Sequence, residues 1–129
     1  MPELPSTLLL EAGRETAGGR EVQLPLECLA EFFGISREDT YYMTLGHGDG
    51  SVERNRPLAI YSQNSTFRIS SSKFLAIPQD QRPMIVRLDR TDEDTFDVTL
   101  IRRDTTAFRD AEAHLNRGGG GTKRWGVIA

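Results

Sequence analysis

Cysteine occurs once in this chain, lysine and histidine twice each, and no apolar run approaches the roughly 20 residues needed to span a bilayer. The lone Cys28 excludes an internal disulfide framework and fits a reducing compartment. His47 and His114 stand far apart and far from Cys28, whereas a zinc site or a histidine–metal nuclease needs several such ligands at close spacing. The common metal-dependent nuclease motif sets an acid two positions before a lysine. Lys73 and Lys123 have Ser71 and Gly121 there, so that motif is missing. A Ser–His–Asp set drawn from His47, Asp49 and a serine has no G-x-S-x-G elbow to support it. AGGR and GGGG do not follow a strand and open a helix as a phosphate-binding loop does. Asp89, Asp92, Glu93, Asp94 and Asp97 crowd one hairpin tip without the glycine of a calcium loop, the pattern of a solvated turn. The expectation is a chain without catalytic function, metal or cofactor.

What the chain does hold is an ordinary core and an uneven charge map. Its 129 residues fit one domain, and 37% hydrophobic and 27% charged residues are the proportions of a globular protein. The N-terminus, MPELPSTLLLE, has neither a basic leader region nor a long apolar one, so the expected location is cytoplasmic. Net charge is −3, against the basic excess usual in nucleic-acid-binding domains. Acids, however, gather between Glu27 and Asp39 and between Asp89 and Asp97. Arg14 to Arg20 is neutral to basic, and Arg54 to Lys73 (RNRPLAIYSQNSTFRISSSK) carries four cations and no acid. A small basic face on an acidic body follows from this distribution.

Along the chain, Thr7 to Glu11 is an apolar run of strand length, followed by the glycine-rich AGRETAGG. Arg20 to Leu24 alternates like a half-buried strand. Pro25 is placed to open a helix with Leu26, Leu29, Ala30 and Phe33 on one stripe and Gly34 as its stop. Thr40 to Leu45 is β-prone, GHGDGSVERN reads as a loop, and Pro57 to Tyr61 and Ser65 to Ile69 read as strands joined by a turn. Phe74 to Ile77 is a further short strand candidate. Pro83 to Asp89 and Thr95 to Ile101 flank an acidic turn and form the clearest hairpin. Asp104 to Leu115 reads as a helix capped by Asp104. RGGGGTK reads as a flexible linker, and RWGVIA either docks through Trp125 or hangs free. The expected fold is mainly β with two short helices: about seven strands in a partly open barrel over residues 1–116, with a glycine-rich linker or tail at 117–129.

That order resembles the DNA-binding pseudobarrel superfamily. The likeness is strongest to the N-terminal effector-DNA-binding domain of restriction endonucleases of the EcoRII kind, with plant B-three transcription-factor domains as more distant members. LLLEAGRETAGGREVQLPLECLAEFFG (8–34), RPLAIYSQNSTFRI (56–69) and MIVRLDRTDEDTFDVTLI (84–101) carry it. The resemblance implies a seven-stranded open pseudobarrel whose two arms grip the major groove of double-stranded DNA. The first arm would be Glu11 to Arg20, with Arg14, Thr16 and Arg20 as contacts. The second would be Ser62 to Lys73, with Gln63, Asn64, Ser65, Thr66, Arg68 and Lys73. Arginine commonly reads guanine, and asparagine or glutamine reads adenine; Lys73 and the serines would position phosphates.

The same resemblance implies a monomeric recognition or effector module serving restriction or a related defence system, beside a nuclease domain or subunit that this sequence does not contain. With modest basic content, about 3–5 phosphates would be neutralised and salt dependence would be shallow. Two other readings stay open. One is a β-barrel protein-interaction module, favoured by the acidic balance. The other is a dimeric swapped-hairpin transcription factor, whose strand–proline–helix unit VQLPLECLAEFFGI also resembles.

Overall fold

Leu8, Leu9 and Leu10 are all buried, because the strand that carries them has both edges paired and both faces covered. This is β1 (Thr7–Ala12). The computed structural model describes residues 4–12, 21–25, 27–36, 41–48, 50–61, 66–70, 84–119 and 122–128. After β1 come β2 (Glu21–Pro25), a π-helix (Leu29–Phe33), β3 (Tyr42–His47), β4 (Val52–Tyr61), β5 (Thr66–Ser70), β6 (Met84–Asp92) and β7 (Thr95–Ile101). Then follow α1 (Thr106–Glu112), β8 (Arg117–Gly119) and β9 (Thr122–Ile128).

The strands form one sheet in the order β2-β5-β4-β3-β7-β6-β1-β9-β8. Every neighbouring pair is antiparallel except β3 and β7. The sheet curls until β2 lies close to β1 and β9, yet among the described residues no ladder joins its two ends. Leu8, Leu10, Met43, Leu45, Val86, Leu88, Phe96, Val98 and Trp125 fill the inside of the curl. Alternate residues Leu9, Ile85 and Ile101 face outward and are covered by Phe108 and Ala111 of α1, with Leu115 just beyond it. Each such side chain contributes about 1.5–3 kcal/mol through burial.

The π-helix plugs one mouth of the curl with Leu29, Phe32 and Phe33, beside Cys28. Its Leu29 carbonyl accepts hydrogen bonds from the N–H groups of Gly34 and Ile35. Gly34 turns the chain at φ 70, which suits glycine. The expected helix differs in two respects. Pro25 ends β2 instead of opening the helix, and Ala30 is exposed while Phe32 is fully buried. The wider π turn sets Cys28, Leu29, Phe32 and Phe33 together on the inner side; Leu26 lies outside the described residues.

At α1 the cap is Thr105, whose Oγ1 accepts from Phe108 N–H at 3.2 Å and donates to the Arg102 carbonyl at 2.7 Å. Asp104, expected as the cap, is one residue too early: the cap oxygen must reach the N–H three residues on, and Phe108 stands three after Thr105. β4 likewise starts at Val52, so the end of the supposed GHGDGSVERN loop is strand.

The largest correction concerns residues 117–129. Expected as a linker or tail, they contain two strands in their described part: β9 pairs with β1 from Thr7↔Ile128 to Leu10↔Trp125, and β8 pairs with β9. Among the described residues nine strands therefore stand where seven were expected. Trp125 is buried in the core with the Arg117 guanidinium 5.0 Å over its ring, and Arg117 also pairs with Glu31 of the π-helix. Arg124 bridges Glu11 of β1 and Glu112 of α1 at 2.5 and 3.2 Å. A Cβ on Gly126 would stand 1.7 Å from the His114 carbonyl oxygen, so only glycine lets β9 pass there. The short strand candidate at 74–77 lies outside the described residues.

Candidate nucleic-acid interface

At the β2 end of the sheet, β5 lies between β2 and β4. Glu21 pairs with Ser70, Gln23 with Arg68 and Pro25 with Thr66, while Ala59 of β4 pairs with Arg68 from the other side. Arg68 thus stands at the middle of a three-strand ladder. The segment 13–20, expected as the first arm, enters β2 at the Glu21/Ser70 level. Residues 62–65, part of the expected second arm, connect Tyr61 of β4 to Thr66 of β5, and Thr66 pairs with Pro25 at the opposite end of the ladder. The four residue steps of this ladder, at about 3.4 Å each, separate the two entry points by roughly 14 Å. Of the expected contact residues, Thr66 and Arg68 are placed on β5; Arg14, Thr16, Arg20, Gln63, Asn64, Ser65 and Lys73 lie outside the described residues.

β4 runs on from this ladder to pair with β3, and there it carries an irregularity. Met43 pairs with Arg56 and Leu45 with Glu53, so Thr44 alone faces both Arg54 and Asn55. Asn55 adopts φ 55 in the middle of the strand, a left-handed conformation that a residue with a Cβ enters at a cost of about 1 kcal/mol or more. The sequence offered one signal for it: asparagine is among the few residues that tolerate this region.

Next to the bulge, His47 Nε2 lies 2.7 Å from Glu53 Oε1, with the His47 side chain only 6% exposed. The pair closes the β3–β4 turn together with the hydrogen bonds His47 N–H to Ser51 O and Gly50 N–H to His47 O. Among the described residues no three His, Cys, Asp or Glu side chains converge to hold a metal ion. Burial, with help from the Glu27 charge, pushes the Cys28 thiol far above its ordinary range, so it is a poor source of thiolate. The Tyr41 phenol is also pushed up, first by burial and then by the Asp94 carboxylate beside it. The Arg90 charge works against that rise, and its guanidinium lies over the Phe32 and Phe96 rings. These groups form a closed aromatic cluster rather than an open cleft. No described helix is long and apolar enough to cross a membrane.

No protein-family model matches the chain, and no curated protein matches it either.

Proposed function

We propose that the chain is a non-catalytic domain that reads double-stranded DNA in the major groove, the recognition or effector module of a restriction-type endonuclease or a related defence system. In this reading the curled sheet is an open pseudobarrel, and the segments 11–20 and 62–73 are its two arms. The observation that carries the proposal is the register around Arg68. Two connecting segments enter the β2–β5–β4 ladder about 14 Å apart, with an arginine halfway between them. That spacing is comparable to the roughly 12 Å width of the major groove. Segment 62–73 is mostly polar, with two cations and no acid, and segment 11–20 balances Arg14 and Arg20 against Glu11 and Glu15, while the acidic clusters belong to other parts of the chain.

Arg68, Arg20 and Arg14 would present guanidinium forks to guanine edges, Gln63 and Asn64 would pair adenine, and Thr16, Ser65, Thr66 and Lys73 would hold phosphates. Selection on randomised duplex DNA at two salt concentrations tests the proposal, and an enriched motif is the expected outcome. Arg68→Ala then costs about 1–3 kcal/mol and relaxes one position of the motif. Failure to retain any duplex at low salt would remove the DNA reading and favour a protein-interaction module. Equal weakening on all sequences would remove its base-reading part.

A further inference from the structure

The bulge in β4 presents a second set of nucleic-acid-binding groups. Because Thr44 faces two residues instead of one, Arg54 and Asn55 are both turned to solvent. Tyr42 shares the outward-facing alternation of Thr44 and is 54% exposed, in a protein whose other described aromatic rings pack inward or against the core. A bulge re-aims side chains at the expense of pairing. This one holds a non-glycine residue at φ 55 to do so, in a strand that a single deletion would make regular.

We propose that Arg54, Asn55 and Tyr42 form a phosphate-binding patch that grips the DNA backbone beside the groove-reading section. The proposal rests on the duplex-binding reading above. Guanidinium, amide and phenol groups are all established donors to phosphate oxygens. Asn55 precedes Ala59, the residue level with Arg68, by four positions on the same strand, or roughly 13 Å. That distance corresponds to about four base pairs at 3.4 Å each, the position of a flanking contact. Arg54 is the cation of the patch, and the acids around it lie on neighbouring elements. Glu53 points to the other side of β4 and is held by His47. The exposed Asp92, Glu93 and Asp94 belong to the β6–β7 tip on the far side of β3, where Thr44 N–H donates to the Asp94 carbonyl at 2.9 Å. Asp97 is exposed on β7 beside Gly46, two strands from β4, and so about 10 Å away, which is one screening length at 0.1 M salt.

Fluorescence anisotropy with the duplex enriched by selection, and with a scrambled duplex, measures the patch between about 50 and 200 mM salt. Arg54→Ala is expected to reduce the slope of log affinity against log salt by about 1, and to weaken both duplexes by the same factor. The enriched motif should stay the same. Tyr42→Phe should weaken both duplexes more mildly, and Asn55→Gly should keep most of the slope, since glycine preserves the backbone that aims Arg54. Thermal melts of the variants that match the wild type exclude a folding effect. An unchanged slope in Arg54→Ala, with the wild type still bound, overturns the patch and leaves groove reading intact. A change of motif at one base overturns it too, because Arg54 would then be reading sequence. A wild-type protein that binds no duplex removes both proposals together.

Discussion

Arg90 stacks its guanidinium 4.7 Å from the centre of the Phe32 ring and donates from Nη2 to the backbone carbonyl of the same residue. One side chain therefore ties β6 to the π-helix twice, and the Phe96 ring, 5.0 Å away, completes the contact from β7. Phe32, Phe33, Phe96 and Tyr41 pack edge-on or tilted around it at centroid distances of 4.9 to 5.6 Å. The plug in the mouth of the sheet is thus held by a cation as well as by apolar area.

Arg90→Met should cost about 2–4 kcal/mol in urea denaturation. It removes a charge-assisted hydrogen bond and the cation–π contact, and it leaves the Phe32 carbonyl without its donor. Arg90→Lys should recover less than half of the loss, because a compact ammonium cannot stack on the ring and reach the carbonyl at once. A loss below 1 kcal/mol for the methionine variant would mean that the plug is held by apolar packing alone.

Asp89 supplies a pH test. Burial works to raise its carboxyl, but hydrogen bonds from Arg87 and Thr7, with the Arg87 charge, outweigh that and hold it below the usual range. Thr7 Oγ1 donates to Asp89 Oδ1 at 2.7 Å, and Arg87 Nε donates to both carboxylate oxygens at 3.1 and 2.9 Å. A carboxyl lowered in the folded state stabilises it above the unfolded pKa of about 3.9, and the contribution disappears as pH falls through the folded value. Asp89→Asn should therefore be less stable than the wild type at pH 7, with the gap narrowing only as pH falls below the unfolded pKa and through the lowered folded one. A gap that does not narrow at all as pH is taken down through the acid range would assign the effect to shape rather than charge.

The strands from β1 to β7, apart from the first half of β4, were legible because each pattern had a local cause: three leucines in a row, period-two alternation, or an acidic turn between two apolar runs. Ala30 and Phe32 were misassigned because an α-helical stripe was assumed where the chain forms a π turn. Residues 117–119 and 122–128 were misread for a different reason. Glycines and isolated apolar residues carry no strand signal of their own, and β9 exists because β1 offers it an edge 113 or more residues earlier in the chain, fixed by Arg124 on Glu11. Long-range pairing of that kind leaves no periodicity to read. The basic character of Arg54 to Lys73 was visible in the sequence, but the bulge that turns Arg54 and Asn55 outward depends on register with β3, which sequence alone does not set.

Asn55 tests that register directly. Asn55→Gly should leave stability unchanged or raise it by up to about 1 kcal/mol, since φ 55 is unstrained for glycine. Asn55→Val should cost about 1–2 kcal/mol, because a β-branched residue is a true outlier in the left-handed region. Were valine as stable as asparagine in thermal melts, β4 would run through this point as a regular strand, and the outward aim of Arg54 would be lost with the bulge.

The C-terminal hairpin is the part of the fold most exposed to refutation. If β9 is a strand of the core sheet, Gly126→Ala must drive a methyl group into the His114 carbonyl, where both partners are backbone and neither can move aside as a flexible side chain would. The expected loss is about 3 kcal/mol or more, enough to deplete the folded state of a domain of ordinary stability. Removal of residues 117–129 should be worse, because it exposes one edge of β1 and takes Trp125 out of the core formed with Leu8 and Leu10. Loss of cooperative unfolding by circular dichroism is the expected result for the truncated chain. If instead it melts as sharply and as high as the full chain, and Gly126→Ala is neutral, residues 117–129 are an appendage and the barrel wall ends at β1.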